Sequence, residues 1–322
     1  MLAAVVTAFD APPRCTPFAD PVPAGSHDAV VDVLAAGLHP RVRSQAAGSH
    51  YTSTDELPLI PGIDGVGRLR DGGGLVYFVL PDTTRGAMAE QVVIDRRRSI
   101  DLPASGDPVV LAAAMNPAMS SWVALRRRIQ LRPGQAVLVL GASGNAGQLA
   151  IQVATHLGAG RVVAAGRGPR LAALPGLGAD HVVDLSGEPD AVAAELGEAA
   201  GDVDVVLDYL WGAPTERALV PILRGRTDRA RPLDWVQIGA VAGPDITLPS
   251  AALRSANLRV MGSGQGSVSA AGILEELPAL VAQITAGAFT VDALPVPLED
   301  VERAWTAPAG TDGRVVIVPA TR

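Results

Sequence analysis

Hydrophobic and polar positions change rhythm about a third of the way along the chain. In the first 117 residues, short apolar runs such as 29–34 and 75–80 alternate with turn-formers: Pro58, Pro61-Gly62, Gly65, Gly67 and Asp71-Gly72-Gly73-Gly74. That texture predicts mostly β structure. The opening MLAAVVTAFDAPP has no basic leader, and Asp10 and two prolines break its apolar run, so it reads as a first strand rather than a signal peptide. From about Ser120, strand-length and helix-length segments alternate, which is the signature of a parallel sheet covered by helices.

In this second stretch Ala136–Leu140 is a continuous apolar run, as expected of a strand buried on both faces. A glycine-rich segment, 141–147, follows. Leu149, Ile151, Val153, Ala154 and Leu157 then mark the apolar face of a helix that Gly158 is placed to end. Further strands are expected at 161–165, 181–184, 203–208, 235–238 and 258–261. They make six in all, the count of an α/β doubly wound dinucleotide-binding (Rossmann) sheet. Beyond Gly262 the pattern predicts one helix near 273–284 and a closing strand at 314–318 that returns to the first domain. The expected division is 118–261 for the Rossmann domain, with 1–117 and 262–322 forming the other.

Composition narrows the chemistry. All 26 positive charges are arginine, and no lysine occurs among the 322 residues. Schiff-base, phosphate-loop and kinase-type lysine mechanisms are therefore excluded. Against 33 acids the net charge is -7, so there is no broad basic field for nucleic acid or anionic lipid, and the arginine runs 96–98 and 126–128 read as solvated faces. Cys15 is the single cysteine, which rules out an internal disulfide and a four-cysteine or cysteine-paired zinc site. The segment 109–125 is interrupted by Asn116, Pro117 and two serines, and no membrane span is expected. The expected setting is the cytoplasm.

The segment Gly141-Ala142-Ser143-Gly144-Asn145-Ala146-Gly147 is a G-x-x-G-x-x-G turn. The spacing alone is weak evidence in a glycine-rich chain. A strand before it, a helix after it and another strand about 20 residues on make it a candidate pyrophosphate site. At the end of the second strand stands Ala165-Gly166-Arg167-Gly168-Pro169-Arg170, with no acid to bond the ribose hydroxyls of NAD. Arg167, with Arg170 as the weaker candidate, offers a fork matched to a phosphate and predicts NADPH as the cofactor.

The stretch Leu131-Arg132-Pro133-Gly134-Gln135 leading into this turn resembles the cofactor-binding segment of zinc-independent medium-chain dehydrogenases/reductases (MDR), the quinone oxidoreductase-like branch. Pro61-Gly62-Ile63-Asp64-Gly65-Val66-Gly67 resembles that family's PGxDxxG turn, Gly86-Ala87-Met88-Ala89-Glu90 its GxxAE segment, and Asp204-Val205-Val206-Leu207-Asp208 and Pro297-Leu298-Glu299-Asp300-Val301 later strings. The resemblance runs over nearly the whole chain in order. It implies a GroES-like, mostly-β catalytic domain joined to the Rossmann domain, an active site in the cleft, and a homodimer formed through edge strand 258–261. It further implies that Asn116 and Ser120 approach the nicotinamide, together with Tyr209 after the fourth strand, Gly239 and Ala240 after the fifth, and Gly262 and Ser263 after the sixth. Met119, Trp122 and Trp211 are the expected walls of a hydrophobic substrate pocket.

Zinc enzymes of the superfamily carry a cysteine and a Gly-His-Glu sequence, but the corresponding places here are near His39 and at Gly62-Ile63-Asp64. His39 and His50 lack a third partner at recognisable spacing, so no metal is expected. The quinone reductases' NPxD pattern corresponds to His39-Pro40-Arg41-Val42, which loses the acid. The tyrosine that follows their glycine is matched, with a one-residue offset, by Tyr51. Tyr51 and His39 are the catalytic candidates, as groups that polarise an acceptor oxygen; His39 is also a candidate proton donor. Three activities are open at this point: hydride transfer to a quinone, enone or related activated carbonyl; reduction of a natural-product or imine-type substrate; or a catalytically inactive NADPH-binding regulator.

Overall fold

The computed structural model describes residues 1–307 and 313–320; residues 308–312 and 321–322, inside the expected 262–322 segment, lie outside the described residues. Two compact units result, one of Met1–Asn116, Leu277–Gly287 and Val291–Arg322, the other of Pro117–Glu276 and Ala288–Thr290.

The first unit opens with the antiparallel pair β1 (Leu2–Val5) and β2 (Arg14–Pro17). It continues through β3 (Asp28–Gly37), α1 (Pro40–Ala46), β4 (Asp64–Leu69), β5 (Leu75–Val79), β6 (Gln91–Asp95) and β7 (Ser99–Asp101). Strand β3 is the spine. Its Val31, Val33 and Ala35 are buried while Asp32 and Leu34 are only half-buried, the period-2 alternation of a sheet with one face on a core. It pairs antiparallel with both β4 and β6, and the core beneath includes Val31, Val33, Phe78, Met88 and Ile94.

Helix α2 (Pro108–Val123) runs on through a π-turn at Ala124–Arg128. By length and composition alone this 21-residue helix is long and apolar enough to cross a bilayer, and it is mostly buried inside the molecule, as a core helix would be.

The second unit contains β8 (Ala136–Leu140), α3 (Asn145–His156), β9 (Arg161–Gly166), β10 (His181–Asp184), α4 (Pro189–Ala200), β11 (Val205–Asp208), α5 (Gly212–Gly225), β12 (Leu233–Gln237), α6 (Ser250–Ser255) and β13 (Leu258–Gly262); α7 (Ala270–Thr285) follows, its residues from Leu277 belonging to the first unit. The six strands are all parallel, in the order β10-β9-β8-β11-β12-β13. The chain works outward from β8 to β10, then crosses to β11 on the other side of β8. The order therefore reverses between β8 and β11, and a parallel sheet opens a ligand crevice at the carboxyl ends of such a pair.

Strand β14 (Ala293–Pro297), α8 (Val301–Thr306) and β15 (Arg314–Val318) belong to the first unit. There β15 lies antiparallel to β3, with Val316 opposite Gly37, and parallel to β14. The fold is a doubly wound Rossmann sheet plus a mostly-β GroES-like domain.

Candidate functional site

Three loops form the carboxyl edge of the parallel sheet around the reversal. The first leaves β8 at Gly141, whose φ is +88°. A Cβ on Gly147 would stand 2.2 Å from the Gly141 carbonyl oxygen and 2.7 Å from Ala142 Cα, so glycine is what lets α3 pack this close. At Gly144 a Cβ would meet only the Gly141 oxygen, at 3.4 Å. Gly144 is the N-cap of α3, and it brings no capping side chain. The first N–H groups of α3 thus keep their anion-binding capacity beside a residue that is open on its Cβ side. Asn145 and Ala146 are half-buried in the helix's first turn.

The second loop leaves β9. A Cβ on Gly166 would lie 2.9 Å from Ser143 N and 3.0 Å from Ser143 Oγ. The Arg167 amide donates to Ser143 Oγ at 3.3 Å, and Arg170 Nη1 donates to Asn145 Oδ1 at 3.0 Å. Both arginines therefore stand beside the glycine turn. Arg170 is the one whose guanidinium is tied to it, whereas Arg167 is exposed.

The third loop, after β11, is built by Asp208. Its carboxylate is fully buried and accepts four bonds: from Leu210 N (2.9 Å) and Trp211 N (3.0 Å) on Oδ1, and from Thr215 Oγ1 (2.6 Å) and Trp235 Nε1 (2.9 Å) on Oδ2. This holds half-buried Trp211 at φ +53°, an uncommon conformation for a bulky residue. Tyr209 is buried, and its hydroxyl lies 2.9 Å from Ser120 Oγ, which donates to the Pro117 carbonyl at 2.7 Å. Burial pushes the Tyr209 hydroxyl up to about 12, so it stays protonated. A Cβ on Gly239 would be 2.9 Å from the Tyr209 oxygen, while Ala240 is exposed. Gly262 is exposed at the end of edge strand β13, and the Ser263 amide donates to the Gln237 carbonyl at 2.8 Å.

Among the expected pocket residues, Met119 is half-buried in α2, as is Asn116. Trp122 requires a correction. It is 3% exposed, its indole N–H donates to Glu276 Oε2 at 3.0 Å, and its ring packs near His156 and Phe289. With its N–H satisfied and its ring buried, it is a core residue and not a pocket wall.

In the first unit, His39 is also corrected as a proton donor. It is 2% exposed, and its Nε2 lies 3.0 Å from Asp64 Oδ1, while Tyr77 donates to Asp64 Oδ2 at 2.6 Å. Burial pushes the imidazole below its ordinary 6.5 despite the opposing pull of Asp64, and Arg314 and Arg41 add to the effect. His39 is consequently neutral at neutral pH and sealed from solvent. This carries a stability consequence. The unfolded chain takes up the proton at the ordinary value and the folded chain does not, so stability falls as pH drops below about 6.5. Urea denaturation at about pH 7.5 and about pH 5.5 should show that loss in the wild type and a smaller one in His39→Gln; equal losses would sink the assignment. Asp64 lay in a turn motif that the sequence singled out, but nothing in the spacing joined it to His39 or Tyr77.

Tyr51 behaves differently. It is 76% exposed and stacks on His50, with ring centroids 4.4 Å apart. Among the described residues, no group of three or more His, Cys, Asp or Glu side chains is arranged to hold a metal ion.

A doubly wound sheet with a glycine turn at its reversal, covalently continuous with a mostly-β unit made from both chain ends, is the construction of a two-domain nucleotide-dependent oxidoreductase. Comparison with known proteins agrees. Residues 146–285 match the family model described as zinc-binding dehydrogenase. A probable NADPH-dependent quinone reductase of Emericella nidulans, tdiC, is 31% identical over 360 residues, covering 99% of this chain and 100% of that protein. The quinone oxidoreductase of Thermus thermophilus, solved also in complex with NADPH, superposes with a TM-score of 0.82 at 27% identity over 99% of this chain and 100% of the other. The Escherichia coli quinone oxidoreductase, with a TM-score of 0.83 at 20% identity over 99% and 100% of the two chains, shares the fold. The chain belongs to the medium-chain dehydrogenase/reductase superfamily, in its quinone oxidoreductase-like branch.

Proposed function

We propose that this protein is a zinc-free, NADPH-dependent reductase that transfers hydride to a quinone, enone or related activated carbonyl. The observation that carries the cofactor assignment is the acid-free end of β9, where two arginines stand against the glycine turn through Ser143 and Asn145. The residues fit the group. Gly144 is open where a Cβ would otherwise stand, the start of α3 is uncapped by side chains, and Arg170 is held in place before any ligand arrives. The relatives named as NADPH-dependent or solved with NADPH support the same reading.

Bound there, NADPH supplies a hydride. The N–H groups at the start of α3 would hold the pyrophosphate, and Arg167 and Arg170 the 2′-phosphate. Tyr209, directly after β11, pairs its hydroxyl with that of Ser120. Tyr51 offers its exposed hydroxyl to the developing charge on an acceptor oxygen, and water supplies the proton. Conjugation in a quinone or enone spreads that charge, which is why so few catalytic side chains are required.

Arg170→Ala and Arg167→Ala should each weaken NADPH binding by about tenfold while leaving NADH binding little changed, because a charge-assisted phosphate contact is lost in one case only. Titration of both nucleotides checks this. Wild-type protein that binds NADH as tightly as NADPH, or two variants with unaltered NADPH affinity, would refute the assignment.

A further inference from the structure

The loop after β9 fixes the backbone of Arg170 but not, by itself, the end of its side chain. From Gly168, at φ +86°, the chain enters a 3₁₀ turn over Pro169–Ala173, and the fully buried Leu174 that follows anchors it. A half-buried arginine on such a turn keeps much rotamer freedom unless something holds its guanidinium. Asn145 does so, through the 3.0 Å bond from Arg170 Nη1 to its Oδ1. Because a guanidinium can only donate, that bond also settles which way the Asn145 amide faces, with its oxygen toward the arginine. Arg167 is held differently. Its backbone amide donates to Ser143 Oγ, and among the described residues its exposed side chain makes no bond to the turn.

Asn145 is itself well placed to act as the holder. It is the first residue of α3 after the N-cap Gly144. Gln148 braces the turn from the far side, donating from its backbone amide to the Gly144 carbonyl at 2.9 Å and from Nε2 to the Ser143 carbonyl at 3.2 Å. One residue therefore faces two phosphate-binding groups: its backbone N–H belongs to the orphan donors at the helix start, and its side-chain oxygen holds the guanidinium. The holder is also neutral. It engages one of five guanidinium N–H groups and leaves the positive charge intact, where a carboxylate in the same place would offset it.

We propose that Asn145 is the positioning residue for NADPH selectivity: its neutral side-chain oxygen holds Arg170 ready for the 2′-phosphate before the nucleotide arrives. The proposal rests on the reading of Arg170 as a 2′-phosphate ligand. An arginine already ordered in the free protein need not be immobilised when NADPH binds, whereas NADH, which lacks that phosphate, gains nothing from the order. Asn145 acts in this way through Arg170 and not through Arg167.

The test titrates NADPH and NADH separately into the full chain, comparing wild type, Asn145→Ala, Asn145→Asp, Arg170→Ala and the double variants that combine Asn145→Ala with Arg170→Ala or with Arg167→Ala. Asn145→Ala should weaken NADPH binding by about fivefold and leave NADH binding unchanged, the NADH value showing on the same sample that the site is folded. The loss should vanish in the Arg170→Ala background and persist in the Arg167→Ala background, as coupling to one arginine requires. Asn145→Asp still accepts from Arg170 but offsets its charge, and should cost NADPH more than Asn145→Ala does and NADH less than it costs NADPH. An unchanged preference for NADPH in Asn145→Ala or Asn145→Asp, equal losses for the two nucleotides, or additive losses with Arg170→Ala would overturn the role of Asn145 and leave the cofactor assignment standing. A wild type that binds the two nucleotides equally would overturn that assignment and this proposal with it.

Discussion

Gly144→Ala should leave the protein as stable as the wild type and unable to hold NADPH, whereas Gly147→Ala should damage the fold itself. The two glycines sit three residues apart in one turn, and their surroundings separate them. At Gly147 a Cβ would fall 2.2 Å from the Gly141 carbonyl oxygen and 2.7 Å from Ala142 Cα; both are backbone atoms, so relief requires α3 to move away from β8. Overpacking of this kind costs about 3 kcal/mol or more. At Gly144 the backbone has φ −75° and ψ 159°, which alanine adopts without strain, and the one neighbour is at ordinary contact distance. A stability change within about 0.5 kcal/mol is expected there. The methyl group would stand where the pyrophosphate must approach the backbone, so NADPH affinity should fall by about 100-fold or more. Thermal unfolding and nucleotide titration on the two variants measure both quantities. If Gly144→Ala bound NADPH normally, the phosphate would not lie on this turn.

Asp208→Ala should be the most damaging substitution outside the glycine turn. The carboxylate is fully buried and, among the described residues, makes no ion pair; four donors hold it. Truncation leaves the Leu210 and Trp211 amides, the Thr215 hydroxyl and the Trp235 indole N–H without their acceptor. Since one buried unsatisfied group costs about 1–3 kcal/mol and neighbouring losses are not additive, a total of about 3–5 kcal/mol is expected. Asp208→Asn should fall between, because an amide oxygen can still receive the two backbone N–H groups while its NH₂ faces the Trp235 N–H. The loss extends to function, since Asp208 also holds Trp211 at positive φ and shapes the loop that carries Tyr209. Urea denaturation ranks the variants. An Asp208→Ala protein of wild-type stability would show that the four bonds contribute little.

The Rossmann half was legible because its physics is local. A parallel strand covered on both faces must be a continuous apolar run, and the six expected strands lie within two residues of their observed positions. Strand β14 was missed for an equally local reason: Ala293–Pro297 contains two prolines and reads as a loop, which an edge strand tolerates and a central one does not. The glycine turn and the arginines after β9 followed from short-range spacing. What spacing cannot show is who meets whom across the sheet. His39 and Asp64 are 25 residues apart, and Trp235 reaches Asp208 across 27. Burial turned His39 from a candidate acid into a sealed neutral group, and Trp122 from a pocket wall into core. The chain-wide lack of lysine leaves arginine as the cation available for a phosphate, and Arg170 is bonded to Asn145 in the glycine turn.

This chain is proposed to spend NADPH on an activated carbonyl without a metal. Following nicotinamide absorbance as purified protein meets a panel of quinones and enones, with and without a strong chelator and with NADH as the alternative donor, tests it directly. The account predicts acceptor-dependent oxidation of NADPH, much slower oxidation of NADH, and no effect of the chelator. Tight NADPH binding with no oxidation across the panel, or turnover abolished by the chelator, would contradict it.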